Sequence, residues 1–240
     1  MRKAFLLMVL IVFSGSLWAA EFTLSAGAGG LLGGLFTRYT GSSSSGKMTQ
    51  KVNQVNYGGF AFFDATYAEF ALIMQGGFNN YDELMNLNGS VAPFSGDGWE
   101  TMLGFSLLGK YPFTLSDRFS LFPLLGIEYQ IALSERRRQD GGPIYDRTNS
   151  LSDTDNDGNP YKISDWNSFW INLGVGTDFN IVQGLFVRGE LLYGFRLMTS
   201  YEKDGLEKMK TYLGDNDPKL SGLTSGPSIR LSVGYHFWNL

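Results

Sequence analysis

The sequence predicts an all-β protein, an eight-stranded antiparallel up-and-down transmembrane β-barrel. Three observations predict it. Long segments alternate apolar with polar side chains at a period of two, the connections between them alternate short and long, and the chain opens on an export signal. Arg2 and Lys3 precede the apolar run Ala4 to Phe13, and small residues follow up to Ala19 and Ala20, which is the pattern of a cleaved secretory signal over residues 1–20. The run is shorter than the roughly 18 apolar residues that a spanning helix needs. Residues 21–240 are then expected to form one barrel domain.

The first strand is expected from Phe22 to Tyr39, with Phe22, Leu24, Leu32 and Phe36 on one face and many glycines. The second spans Val55 to Asp64 and the third Tyr67 to Asn79. In the fourth, Trp99 to Tyr111, the residues Trp99, Thr101, Leu103, Phe105, Leu107 and Tyr111 share one parity, and Glu100, Gly104, Ser106 and Lys110 take the other. Successive side chains of a strand point to opposite faces, so one face is oily and the other polar. The fifth, Phe119 to Ser134, turns Leu121, Leu125, Ile127, Tyr129, Ile131 and Leu133 outward and Glu128 and Gln130 inward. The sixth is Ser168 to Phe179. The seventh, Leu185 to Met198, sets Leu191, Tyr193 and Phe195 against Arg188, Glu190 and Arg196, and the eighth runs from Ser228 to Trp238.

Gaps after the second, fourth and sixth strands are short, and those after the first, third, fifth and seventh are long: 40–54, 80–98, 135–167 and 199–227. Short turns on one side and long loops on the other are the pattern of an outer-membrane barrel, whose wall faces lipid and whose interior is polar. A soluble lipocalin-like or sandwich fold also alternates, with its oily face inward. Parity alone does not separate the two; the loop asymmetry, the aromatic last strand and the export signal favour the membrane barrel in a bacterial outer membrane.

Composition agrees. Zero cysteines exclude a disulfide scaffold and a Cys-ligated metal, and without Arg2 and Lys3 the chain keeps 17 basic against 23 acidic residues, a net charge of about −6. That balance argues against nucleic acid, whose phosphates demand basic clusters.

On these segments, and on the terminal strand Ile229, Leu231, Val233, Tyr235, Phe237, Trp238, the chain resembles the small eight-stranded bacterial outer-membrane barrels, the OmpA-, OmpX- and OmpW-like group. The resemblance implies outer-membrane lipid as surroundings and recognition of the last strand by the barrel assembly machinery. Two departures are Asn239 and Leu240 after the final aromatic, and the lack of a peptidoglycan-binding domain. Two roles are expected: the long extracellular loops point to non-enzymatic display for surface contact, with an outside or host ligand, or for envelope structure, and the resemblance raises the alternative of a narrow porin-like channel for ions or small molecules, hydrophobic ones among them.

The candidate site is a lumen charge network of Glu69, Glu100, Lys110, Glu128, Asp178, Arg188, Glu190, Arg196 and Arg230. Eight strands enclose a space that side chains fill, and buried charges must pair. Asp178 is expected to pair with Arg188 across the sixth turn, and Glu69 to face Lys110. Asp64 and Arg38 fit the inward parity less well and are expected at the rims. Glu69, Lys110, Asp178, Arg188, Glu190 and His236 fall in the periplasmic half, and Glu100, Glu128, Arg196 and Arg230 in the outer half. The single histidine, His236, is expected to be a hydrogen-bonded lumen residue far from the outer rim, where lipid-modifying barrels work, so no Ser/His nucleophile is expected and the chain reads as no enzyme.

Three weaker signals lie outside the lumen. Arg136, Arg137 and Arg138 form a basic cluster suited to anionic headgroups or a host polyanion, against the plainer reading of a solvated rim. Asp153, Asp155 and Asp157 with Gly158 are spaced like the start of a calcium loop, but Ser164 stands where Glu is needed, so a solvated acidic loop competes with Ca2+ and no other cofactor is expected. Tyr201 to Leu213 has the spacing of a short amphipathic helix. Interfacial aromatics are expected at Trp99, Tyr81 and Trp166 on the outer side, and at Tyr67, Tyr111, Phe179 and Phe237 on the inner side.

Overall fold

The computed structural model describes residues 22–43, 46–87, 90–139, 144–148, 163–197, 199 and 219–239. Its strands are β1 (Thr23–Ser43), β2 (Gly46–Ala65), β3 (Ala68–Leu87), β4 (Ser90–Lys110), β5 (Phe113–Ser116), β6 (Phe119–Gln139), β7 (Ile144–Thr148), β8 (Ser168–Val182), β9 (Leu185–Arg196) and β10 (Lys219–Asn239). Eight of them close an antiparallel ring in the order β1-β2-β3-β4-β6-β8-β9-β10, with β10 returning to β1. The short β5 folds back on the start of β6, and β7 pairs with the far end of β6.

Burial in the closed ring shows which way the wall faces. Leu32, Phe36, Tyr57, Phe70, Leu107, Leu125, Ile171, Leu191 and Leu231 all stand exposed on the outside, while Arg188, Glu69, Asp64 and Glu190 are buried inside. Water would not tolerate such an exterior over a whole wall; lipid covers it. A row of aromatic contacts marks the turn side of this band: Tyr67 with Tyr111 at 5.9 Å, Tyr111 with Phe113 at 5.0 Å, and Phe63 with Phe237 at 6.1 Å between ring centroids.

Turns hold that side together. Thr66 adopts φ 45°, uncommon for a β-branched residue, and its hydroxyl accepts from the Thr23 amide at 2.7 Å and lies 3.1 Å from the Thr23 carbonyl. The β2–β3 turn is thereby tied to the start of β1. Gly184, at φ 81°, closes the β8–β9 turn and its carbonyl accepts from the His236 amide at 2.7 Å.

Strand length departs from the expectation. A tilted strand crosses the hydrocarbon in about 9–11 residues, yet β1, β4, β6 and β10 have 21 and β2 and β3 have 20. The segments 40–54 and 80–98, expected as long loops, are for the most part paired sheet: β1 runs in register with β2 out to Ser43 opposite Gly46, and β3 with β4 out to Leu87 opposite Ser90. Their alternation is weak because beyond the membrane neither face must be apolar, so backbone pairing continues without the sequence signal. The wall is lower at β8, with 15 residues, and β9, with 12. The export signal, Asp153, Asp155 and Asp157, and the 201–213 helix lie outside the described residues.

Candidate functional site: the barrel lumen

The lumen is organised around Arg188 on β9. Opposite it in the β8–β9 register is Asp178, which accepts from Nε at 2.7 Å and from Nη2 at 2.8 Å, the bidentate geometry that a guanidinium favours. Nη1 reaches Glu69 on β3 at 2.5 Å and Asp64 on β2 at 2.6 Å. Arg188 is 1% exposed and Glu69 0%. Lys110 completes the group by pairing with Asp64.

Three phenyl rings surround the guanidinium: Phe62, Phe186 and Phe122, with Cζ at 4.8, 5.1 and 5.2 Å from their centroids. Cation–π contact strengthens when water is absent. Glycines make room for the rings. A Cβ at Gly176 would lie 2.1 Å from Phe122, and one at Gly234 2.3 Å from Phe186. Charge and rings together make a closed floor across the lower lumen.

Below the floor a vestibule of about 550 Å³ opens toward the turns, reaching Lys110, Asp64, Asp178 and His236. His236 stacks on Phe186 at 4.4 Å rather than hydrogen-bonding through its ring, and its Nδ1 has no partner among the described residues.

Above the floor the interior is looser. Arg230 donates to Glu128 at 2.9 Å, and Glu128 also accepts from Asn172 at 3.2 Å and Gln130 at 2.6 Å. Further out, Gln54 donates to Glu100, Thr37 and Thr224 meet at 2.9 Å, and Tyr39 and Thr224 at 3.0 Å. The Arg196 guanidinium carbon lies 5.8 Å from the Trp170 ring centroid, and Nη2 approaches Thr224 at 3.5 Å. Two spaces of about 50 Å³ each remain here. Glu190, opposite Arg230 in register, sits between the two levels with its carboxyl beside that of Glu69, and Arg230 Nη1 has no hydrogen-bond partner among the described residues.

Several sequence expectations need correction. Glu69 does not face Lys110: it stands opposite Leu108 and bonds Arg188, while Lys110 takes Asp64. Asp64 is no rim residue, being 1% exposed at the centre of the floor. Its strand hid this, because Phe60 and Phe62 point inward with it while Tyr57 and Phe63 point out, so parity there was not readable as oily against polar. Tyr81 and Trp166 are not lipid anchors; both line the outer lumen mouth. Glu135, outside every expected strand, is buried. A bulge between Thr101 and Met102 on β4, set against Ser134 and Ala132 on β6, adds a residue on β6 and reverses the inward parity beyond it.

The basic cluster is dispersed along an outer strand. Arg138 and Arg136 are exposed, and Arg138 pairs with Asp97 at 3.0 Å. Arg136 stands between Trp99 and Asp146 in register, and the Arg137 side chain lies outside the described residues.

No family model matches the chain and no curated protein matches it. Among solved structures, the chain is similar to neisserial surface protein A, with 13% identity over 87% of this chain and 97% of that one at a TM-score of 0.33. The attachment invasion locus protein Ail of Yersinia pestis, solved with the heparin analogue sucrose octasulfate, gives 13%, 88%, 99% and 0.26. The outer membrane protease OmpT of Escherichia coli gives 8%, 91%, 99% and 0.34. Likenesses this distant assign neither an activity nor a ligand. The ring closure, the apolar exterior and the ionic interior make the chain an eight-stranded outer-membrane type β-barrel.

Proposed function

We propose that this protein is a closed, non-enzymatic barrel of the outer membrane that serves as a platform, presenting its extended outer strands and the segments between them to the surroundings. One observation supports this above the others. The lumen is crossed by a floor in which Arg188, Asp64 and Glu69 are each no more than 1% exposed, so material is not expected to pass, while strands up to 21 residues long raise a paired collar beyond the bilayer.

A narrow channel is the second reading, and Glu190 favours it. Its carboxyl, beside that of Glu69, and Arg230 Nη1, which has no hydrogen-bond partner among the described residues, set polar groups between the floor and the outer level, where they would line a path for water or ions. Conductance of the refolded mature protein in planar bilayers separates the two. The platform reading expects silence from demonstrably inserted protein across voltage and salt; reproducible discrete openings of the unaltered chain would replace it with the channel.

A further inference from the structure

Just above the lipid-facing band on the β10–β1–β2 wall lies an outward groove of about 660 Å³, lined by Phe36, Arg38, Lys51, Asn53, Ser221 and Leu223. Arg38 stands opposite Lys51 on one side and Leu223 on the other, and both cations are exposed. Neither has an ion-pair partner among the described residues. Asp82 is the register neighbour of Lys51 on β3, but it does not line the groove.

Height decides what this pair meets. Phe36 and Val55 are the last apolar outward residues of β1 and β2, at 56% and 54% exposure; Arg38 follows Phe36 by two positions. Two strand residues advance about 7 Å, which at a tilt near 40° is about 5 Å along the membrane normal. Headgroups occupy roughly 5–7 Å beyond the hydrocarbon on each side. The guanidinium and the ammonium therefore sit at phosphate depth, above a floor of Phe36 and Leu223 that continues into the acyl-chain wall. Asn53 and Ser221 add hydrogen-bonding capacity beside them.

We infer that Arg38 and Lys51 form a binding site for the phosphate-bearing headgroup of an outer-leaflet lipid, with its acyl chains running down the β1–β2 wall. Charge complementarity selects the head, and continuity with the lipid-facing surface selects an amphiphile over a free anion.

The test uses the refolded mature protein in maltoside micelles and a fluorescent phosphatidic acid, with the matching diacylglycerol as the uncharged control. Phosphatidic acid is expected to bind in preference to diacylglycerol, and the Arg38→Gln/Lys51→Gln variant to lose affinity roughly thirtyfold, the combined effect of two cations near a headgroup. Unchanged circular dichroism and gel mobility establish that the variant is folded. An Arg118→Gln variant, which removes an exposed cation on the turn side, is expected to bind as the parent does. Equal binding by the Arg38/Lys51 variant, equal binding of diacylglycerol, or loss in the Arg118 variant would overturn the site. Displacement of the lipid by millimolar inorganic phosphate would overturn the lipid as its ligand.

Discussion

The two levels of the lumen solve the same problem differently. At the floor, one guanidinium meets three carboxylates and three phenyl rings. At the outer level, Arg230 has one carboxylate, Glu128, and one ring, Phe60 at 5.6 Å, and the amides of Asn172 and Gln130 donate to that carboxylate. A buried charge is stable only when paired and hydrogen-bonded, and the floor satisfies that condition with several partners at once. Neither level is complete: Glu69 Oε1 in the floor and Arg230 Nη1 in the outer level both lack a hydrogen-bond partner among the described residues. What differs is the means, since the floor gathers ion pairs and rings on one guanidinium, whereas the outer level spreads its polar contacts over amides and hydroxyls.

The strongest way to break this contrast is Arg188→Ala. Removal of the guanidinium leaves Asp64, Glu69 and Asp178 facing one another without their shared partner, and we expect a loss of about 3–5 kcal/mol in urea unfolding from vesicles. The same variant is expected to show conductance where the parent is silent. If stability and silence both persist, the floor is not what closes the barrel.

Next in size is Arg230→Ala, which sharpens the comparison. One buried ion pair is lost, and because Asn172 and Gln130 still donate to Glu128, about 3 kcal/mol is expected, the lower end for breaking a buried pair. Without opening of the floor, bilayer recordings should stay silent. A stability loss equal to that of Arg188→Ala would erase the difference between the levels.

Gly234→Leu comes after it. A Cβ there already collides with Phe186, so the ring must leave its place against Arg188 and His236. A loss of about 1–3 kcal/mol is expected, as for other overpacked sites, again read by unfolding in vesicles. No change would mean that the rings are fill and not part of the floor.

The smallest effect belongs to Arg138→Gln on the collar. That side chain is 59% exposed in its pair with Asp97, and exposed pairs contribute less than about 1 kcal/mol. A larger change in the urea midpoint would show that the collar and the membrane-embedded ring unfold as one unit.

Much of this was legible beforehand, for a physical reason. Alternation at a period of two reports which face a residue occupies, and it placed Glu128, Gln130, Arg188 and Glu190 inside and Phe105, Ile127 and Leu191 outside. Adjacency across a tight turn is also readable, and Asp178 with Arg188 flanks such a turn. Contacts across the lumen are not. Glu69 reaches Arg188 over 119 positions of sequence, and nothing in either strand states the shear that brings them to one height.

The chain by itself determined the barrel: strand number, antiparallel order, the direction in which the oily face points and the side on which the short turns lie, because these follow from local periodicity and connection length. Only the tertiary structure decided which charges meet. Strand stagger set Asp64 rather than Glu69 beside Lys110, a bulge turned Glu135 inward, and backbone pairing carried β1 to β4 beyond the membrane without any hydrophobic signal. Side-chain parity is encoded residue by residue, whereas height in the barrel is a property of the closed ring.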